Sequence, residues 1–251
     1  MPQVLPHSSV AFPPSLPQRQ AEVSEPPLTQ PIVQLKQVTK TYQNGTTSLI
    51  DINLDIKKGD FLFVTGPSGS GKSTLMKLLY GEEQADQGAV WVDSLNVGML
   101  RGDRLSLLRR RLGIVFQDYR LIPRRTVAEN VALVLRAQGV PRLEIQRRLN
   151  PALKVVDLQD KAECFPEELS GGEQQRAGIA RAIVGTPMLL LADEPTGNLD
   201  PENAQQVIKI LQKLNSFGIT VLVATHDQSL LQRSQHPVVH LQQGRLQSVV
   251  G

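Results

Sequence analysis

Short apolar runs alternate along the chain with longer stretches whose apolar positions recur at helical spacing. The runs are Phe61-Leu62-Phe63-Val64-Thr65, Gly113 to Phe116, Met188 to Ala192 and Ile219 to Ala224. Each is short and almost continuously apolar, the pattern of a strand buried on both faces. Helical patterns run from Lys72 to Leu79, Val127 to Ala137, Glu173 to Val184 and Glu202 to Leu214. Strand and helix in alternation predict an α/β fold, a mostly parallel sheet with helices on its faces. Ahead of these, Ile32 to Thr39 and Ser48 to Ile56 read as two strands separated by a turn at Asn44-Gly45, an N-terminal antiparallel β subdomain. Residues 118–169 carry helix signals and no strand signals, which predicts a helical subdomain inserted into the α/β core. Its second helix begins at Pro141. Asn150-Pro151 predicts a kink or break, because proline lacks an N–H and its ring clashes with the preceding turn.

Residues 1–31 follow no such period. They hold nearly half of the 17 prolines, with Ser and Gln, and are expected to form a disordered leader. Glu22, Glu25 and the scarcity of Arg argue against a transit peptide. The ordered domain is expected over residues 32–251. At 40% apolar and 20% charged, the composition is that of a globular protein with a full core. A net charge of +3, with dense basic clusters only at Arg109-Arg110-Arg111 and Arg124-Arg125, predicts a solvated helix end and a loop rather than a nucleic-acid surface. The one cysteine, Cys164, lies in no metal or redox motif and reads as packing. No apolar run approaches the roughly 18 residues of a membrane helix. A cytoplasmic chain is expected, with any membrane association made through a partner.

The candidate chemistry begins after the first apolar run. Gly66-Pro67-Ser68-Gly69-Ser70-Gly71-Lys72-Ser73-Thr74 has the spacing of a Walker A phosphate loop, in the strand–loop–helix context that such a loop requires. Its glycines let backbone N–H groups turn toward phosphate oxygens, and the helix N-terminus adds partial positive charge. Lys72 supplies a full charge, and the Ser73 hydroxyl is placed to ligate Mg²⁺. Met188 to Glu194 is an apolar strand ending in two acids. Asp193 is expected to hold Mg²⁺, directly or through water, and Glu194 to face the attacking water as general base.

Leu169-Ser170-Gly171-Gly172-Glu173-Gln174-Gln175-Arg176 carries two readings that hold together. Ser170 with Glu173 three residues later forms a capping box, and a capped, glycine-rich helix start is a second anion site. The stretch also resembles the LSGGQ signature of ABC ATPases, with Glu173 where the type sequence has Gln. That resemblance covers roughly residues 32–246. It implies a P-loop NTPase core of ABC ATPase type, and a homodimer in which the signature of one chain (Ser170, Gly171, Gly172, Glu173) closes over ATP held by the Walker A loop of the other. It further implies Tyr42 as the aromatic stacked on adenine and Gln117 as the Q-loop glutamine contacting Mg²⁺ and water. Asp200 in Asn198-Leu199-Asp200 matches the D-loop, and His226 the switch histidine at the γ-phosphate.

Lys77 to Glu83, Phe116 to Pro123 and Arg125 to Val131 resemble more closely the bacterial cell-division branch of that family, the FtsE type. This implies an FtsX-like integral membrane partner, cell-wall hydrolase regulation, and a peripheral place on the cytoplasmic face of the plasma membrane. The ATPases of lipoprotein-release and MacB-type export transporters remain the alternative. A kinase would explain Walker A but not residues 169–176. A nucleotide-binding scaffold with slow turnover stays open.

Overall fold

The computed structural model describes residues 30–232 and 234–250. The proline-rich leader, apart from Gln30 and Pro31, lies outside them. The elements in chain order are β1 (Val33–Thr41), β2 (Thr47–Ile56), β3 (Phe61–Thr65), α1 (Lys72–Leu79), β4 (Gln87–Val92), β5 (Leu95–Asn96), α2 (Gly102–Arg110), β6 (Leu112–Val115), α3 (Val127–Ala137), α4 (Arg142–Val155), α5 (Gly171–Ile183), β7 (Leu189–Asp193), α6 (Pro201–Ser216), β8 (Thr220–Thr225), α7 (Gln228–Gln232), β9 (Val238–Gln242) and β10 (Arg245–Val250).

A six-stranded sheet has the order β10-β9-β3-β8-β7-β6. Its strands from β9 to β6 are parallel, and β10 closes the edge antiparallel to β9. A second, antiparallel sheet has the order β2-β1-β4-β5. The period of two along the parallel strands divides the interior between two cores. Phe61, Phe63, Leu190, Ala192, Val221 and Val223 face one side, where α3 to α6 cover them. Leu62, Val64, Leu189, Leu191, Leu222 and Ala224 face the other, where α1 and the antiparallel sheet enclose them with Val33, Leu35, Ile52, Leu75 and Leu79. Burying one such Leu, Val or Phe side chain contributes ~1.5–3 kcal/mol, so strands filled on both faces are the most firmly specified. The fold is therefore the α/β architecture expected above, a mostly parallel sheet with helices on its faces and an antiparallel β layer beside it.

Between β6 and β7 the chain is helical and contains no strand. Thr126 caps α3 in a reciprocal box with Glu129. One turn later, Asn130 is fully buried and holds the preceding loop. Its Oδ1 accepts the Ile122 N–H at 2.7 Å, and its Nδ2 donates to the carbonyls of Ile122, Arg125 and Thr126. Of the kink or break expected at Asn150-Pro151, the break does not occur, since α4 runs unbroken from Arg142 to Val155 with Pro151 inside it. Proline costs a helix interior ~3 kcal/mol. Here Pro151 faces solvent while Ile145 and Leu153 on either side of it enter the core, which offsets that cost at ~1.5–3 kcal/mol each.

Elements outside the expected set are β4, β5, α2, α7, β9 and β10. The cluster Arg109-Arg110-Arg111 is indeed a helix end, at the C-terminus of α2. Arg109 donates to the Tyr80 and Gly81 carbonyls, and Arg111 pairs with Asp93. Cys164 packs, half-buried, against the helical core. Among the described residues no helix is long and apolar enough to cross a membrane.

Candidate active site

The site is built at the C-terminal ends of β3, β7 and β8, the edge of a parallel sheet where the loops to the following helices converge. From β3 the chain turns through Gly66, φ 155°, where any Cβ would collide with the Leu241 carbonyl of β9. It enters α1 at Gly71, φ 109°, where a Cβ would stand 2.5 Å from the Ser48 carbonyl. Both positions thus admit only glycine. No side chain caps α1 and no acid lies in its first turn. Its leading N–H groups and positive dipole end are therefore free to meet an anion.

Lys72 folds back over this loop. Its Nζ donates to the Gly66 carbonyl at 2.7 Å and the Pro67 carbonyl at 3.2 Å, and lies 3.5 Å from Glu194 Oε1. Glu194 is the first residue after β7 and has a left-handed φ of 47°. This turn ends the strand's alternation and brings two consecutive carboxylates to the same end of the sheet. The Glu194 N–H is anchored to the Ala224 carbonyl of β8 at 2.9 Å. Its Oε2 lies 2.9 Å from His226 Nδ1, at the end of β8. The carboxylate is thus bracketed by an ammonium on one side and an imidazole on the other.

Ser73 Oγ donates to Asp193 Oδ1 at 3.2 Å. Burial pushes the Asp193 carboxyl above the usual carboxylate range, and the Glu194 charge adds to the rise, against the Ser73 hydrogen bond and Lys72 and Lys77. A hydroxyl and a carboxylate side by side are the hard oxygen donors that Mg²⁺ accepts. No group of three or more His, Cys, Asp or Glu with metal-holding geometry occurs among the described residues.

Ser68, Gly69, Gly71, Lys72, Ser73, Thr74, Gln117, Glu194 and His226 line one cleft of about 430 Å³, joined by Ser48 of β2. Gln117 sits at its mouth and leans on the loop after β7. Its Nε2 is 3.5 Å from Asn198 Oδ1, and its carbonyl accepts from Asn198 Nδ2. Tyr42 does not line the cleft but borders it. Its hydroxyl is 3.1 Å from Thr74 Oγ1, and the Lys40 ammonium lies 5.4 Å from its ring centroid.

The signature residues lie apart from this cleft. Ser170 caps α5, accepting the Glu173 N–H while the Glu173 carboxylate accepts from the Ser170 N–H at 2.8 Å. Those bonds hold the Glu173 carboxyl below the ordinary range. Asp200 caps α6 through the N–H groups of Glu202 and Asn203. Asn203 joins the two caps, donating to Asp200 Oδ2 at 2.6 Å and packing directly on Gly172, where a Cβ would overlap it. Arg176 of α5 donates to Gln206 of α6 at 2.7 Å. The two helix starts thus form one rigid unit. Ser48 and Asn203 were not among the expected residues, and Asn198 was expected only as part of the D-loop stretch that ends at Asp200.

A P-loop ATPase is the class of protein that this strand–loop–helix, paired acids and bracketing His define. The family described as ABC transporter matches residues 49–197. The chain is 47% identical over 216 residues to the cell division ATP-binding protein FtsE of Mycobacterium tuberculosis, covering 86% of this chain and 94% of that one. It is 44% identical over 215 residues to FtsE of Streptococcus pneumoniae, with the same coverages. Against FtsE of Escherichia coli it is 42% identical over 220 residues, 88% of this chain and 99% of that one. Among solved structures it is similar to the dimeric ATP-binding cassette MJ0796 in a post-hydrolysis state with ADP and Pi. The TM-score is 0.79 at 37% identity, over 87% of this chain and 97% of that one. Similarity to cbiO1 from Clostridium perfringens has a TM-score of 0.80 at 30% identity, over 88% of each chain. The chain belongs to the ABC transporter family and is an ATP-binding, ATP-hydrolysing subunit of that type.

Proposed function

We propose that this ATPase works in bacterial cell division as the energy-converting subunit of a membrane complex, with an FtsX-like integral membrane partner, and so regulates cell-wall hydrolases. The observation that carries the site assignment is the convergence of Lys72, Ser73, Glu194 and His226 on one cleft at the end of the parallel sheet, with Asp193 hydrogen-bonded to Ser73 behind it. In this reading the loop from Gly66 to Thr74 holds the phosphates of ATP and Tyr42 stacks on adenine. Ser73, Asp193 and Gln117 would hold Mg²⁺, which when bound neutralises charge on the phosphates. ATP draws Lys72 toward its outer phosphates. Glu194, released from Lys72, accepts a proton from water, and His226 keeps that carboxylate in place while reaching the γ-phosphate. A base so positioned contributes ~10²–10⁴-fold in rate.

The signature residues Ser170 to Glu173 and Asp200 lie outside the cleft of their own chain, which supports a homodimer in which they complete the site of a second copy. The relatives named for cell division, aligned over nearly their whole length, support the biological setting. The complex is placed at the cytoplasmic face of the plasma membrane, held by its partner. The test is affinity purification of the tagged full-length chain from gently solubilised membranes, followed by mass spectrometry. Recovery of an FtsX-like protein is the expected outcome. Recovery instead of a lipoprotein-release or MacB-type permease moves the function to transport and leaves the ATPase chemistry in place.

A further inference from the structure

The segment after Gln117 is held in an unusual shape. Tyr119 and Arg120 are both left-handed, φ 56° and 48°, a conformation that L-residues with side chains seldom adopt. A single residue of the signature helix fastens it. Arg181 of α5 donates Nη2–H to the Tyr119 carbonyl at 2.8 Å and Nη1–H to the Arg120 carbonyl. Arg120 in turn lays its guanidinium over Phe116, 4.0 Å from the ring centroid, and bonds Asp118.

With its backbone fixed there, Tyr119 lies lengthwise on α5. Its carbonyl oxygen would be 3.6 Å from a Cβ on Gly178, and its hydroxyl 3.0 Å from a Cβ on Gly171. Those glycines are seven residues apart, about 10.5 Å along a helix. One residue therefore reaches from the middle of α5 to its first position, beside the Ser170 cap, along a track that the two glycines leave bare.

We propose that Tyr119 is a positioning residue, a strut that fixes the spacing between the Gln117 loop and the N-terminal turn of α5. The inference rests on the reading above, in which Gln117 attends the nucleotide of its own chain and residues 170–173 face that of a second copy. Nucleotide in one chain is then communicated, through the Gln117 loop and the Tyr119 ring, to the surface which that chain offers its partner.

The test uses the full-length chain with Glu194→Gln as parent. It reads ATP-driven dimerisation by analytical ultracentrifugation, and ATP affinity at concentrations where the chain is monomeric. Tyr119→Ala is expected to weaken dimerisation roughly tenfold, a coupling of ordinary allosteric size, with monomer affinity unchanged. Tyr119→Leu, which keeps an apolar contact at shorter reach, is expected to show the same split. Tyr119→Phe, which loses the hydroxyl but keeps the ring tip, Cζ, 3.9 Å from a Cβ on Gly171, is expected to behave as the parent. Unimpaired dimerisation of Tyr119→Ala overturns the strut. So does a Tyr119→Phe variant as defective as the alanine, because the hydroxyl and not the spacing would then matter. A parent that stays monomeric in ATP overturns the dimer reading beneath and the strut with it.

Discussion

At the residue scale the site is governed by charges held apart from water. Asp193 is mostly buried and its carboxyl is pushed upward. A raised folded-state pKa means that the fold holds this proton more tightly than the unfolded chain does. The associated stability is present at low pH and is lost as pH rises from the unfolded value, ~3.9, through the folded one. At neutral pH without cation, the ionised Asp193 is therefore a cost to the fold. Asp193→Asn keeps an acceptor for Ser73 and removes that charge. It is expected to raise the melting temperature of the nucleotide-free protein while lowering hydrolysis on the order of 100-fold or more, since metal assistance is worth several kcal/mol. Differential scanning calorimetry beside a phosphate-release assay reads both, and a variant that melts lower than the parent contradicts the argument. The residues of Gly66 to Thr74 and the Asp193–Glu194 pair were legible because their geometry is enforced by neighbours in sequence. Ser48, Asn203 and Arg181 were not, because what they touch lies 26, 31 and 62 residues away.

Among the elements, those buried on both faces, sharply capped or opened by the phosphate-loop motif could be read nearly to the residue. Strand β3 and helices α1 and α3 have the expected bounds, and α3 shows why, with a Thr126–Glu129 box at its start. Strand β4 carries only two buried positions, and β4 and β9 take their register from β1 and β3, distant in the chain, while β10 follows β9 as a hairpin. Pro151 misleads for a related reason, since local chemistry argues for a break while contacts on either side hold the helix together. Thr126→Ala removes one half of a reciprocal cap on an element outside the nucleotide cleft. It should cost about 1 kcal/mol, a fall of roughly 2–4 °C in melting temperature for a domain of this size, with ATP affinity unchanged. Thermal denaturation with and without ATP checks this, and a loss of affinity would show that α3 acts on the cleft.

At the scale of the whole molecule, the parallel sheet separates two cores, and the phosphate loop sits where the sheet, the antiparallel layer and the last strands meet. The final strands hold that loop in shape. The Leu241 carbonyl bars any Cβ from Gly66, the Gly244 N–H reaches the Ser70 carbonyl at 3.3 Å, and the Gly244 carbonyl accepts from Ile50 at 2.7 Å. The loop lies at residues 66–74 and its brace at residues 241–244. During synthesis, the nucleotide pocket is therefore expected to mature only when β9 and β10 have emerged. Ribosome-stalled chains ending before Val238 are expected to ignore fluorescent ATP that completed chains capture, and binding by the shorter chains would show that the brace is dispensable. Competence for nucleotide then reports that β9 and β10 have docked against the loop.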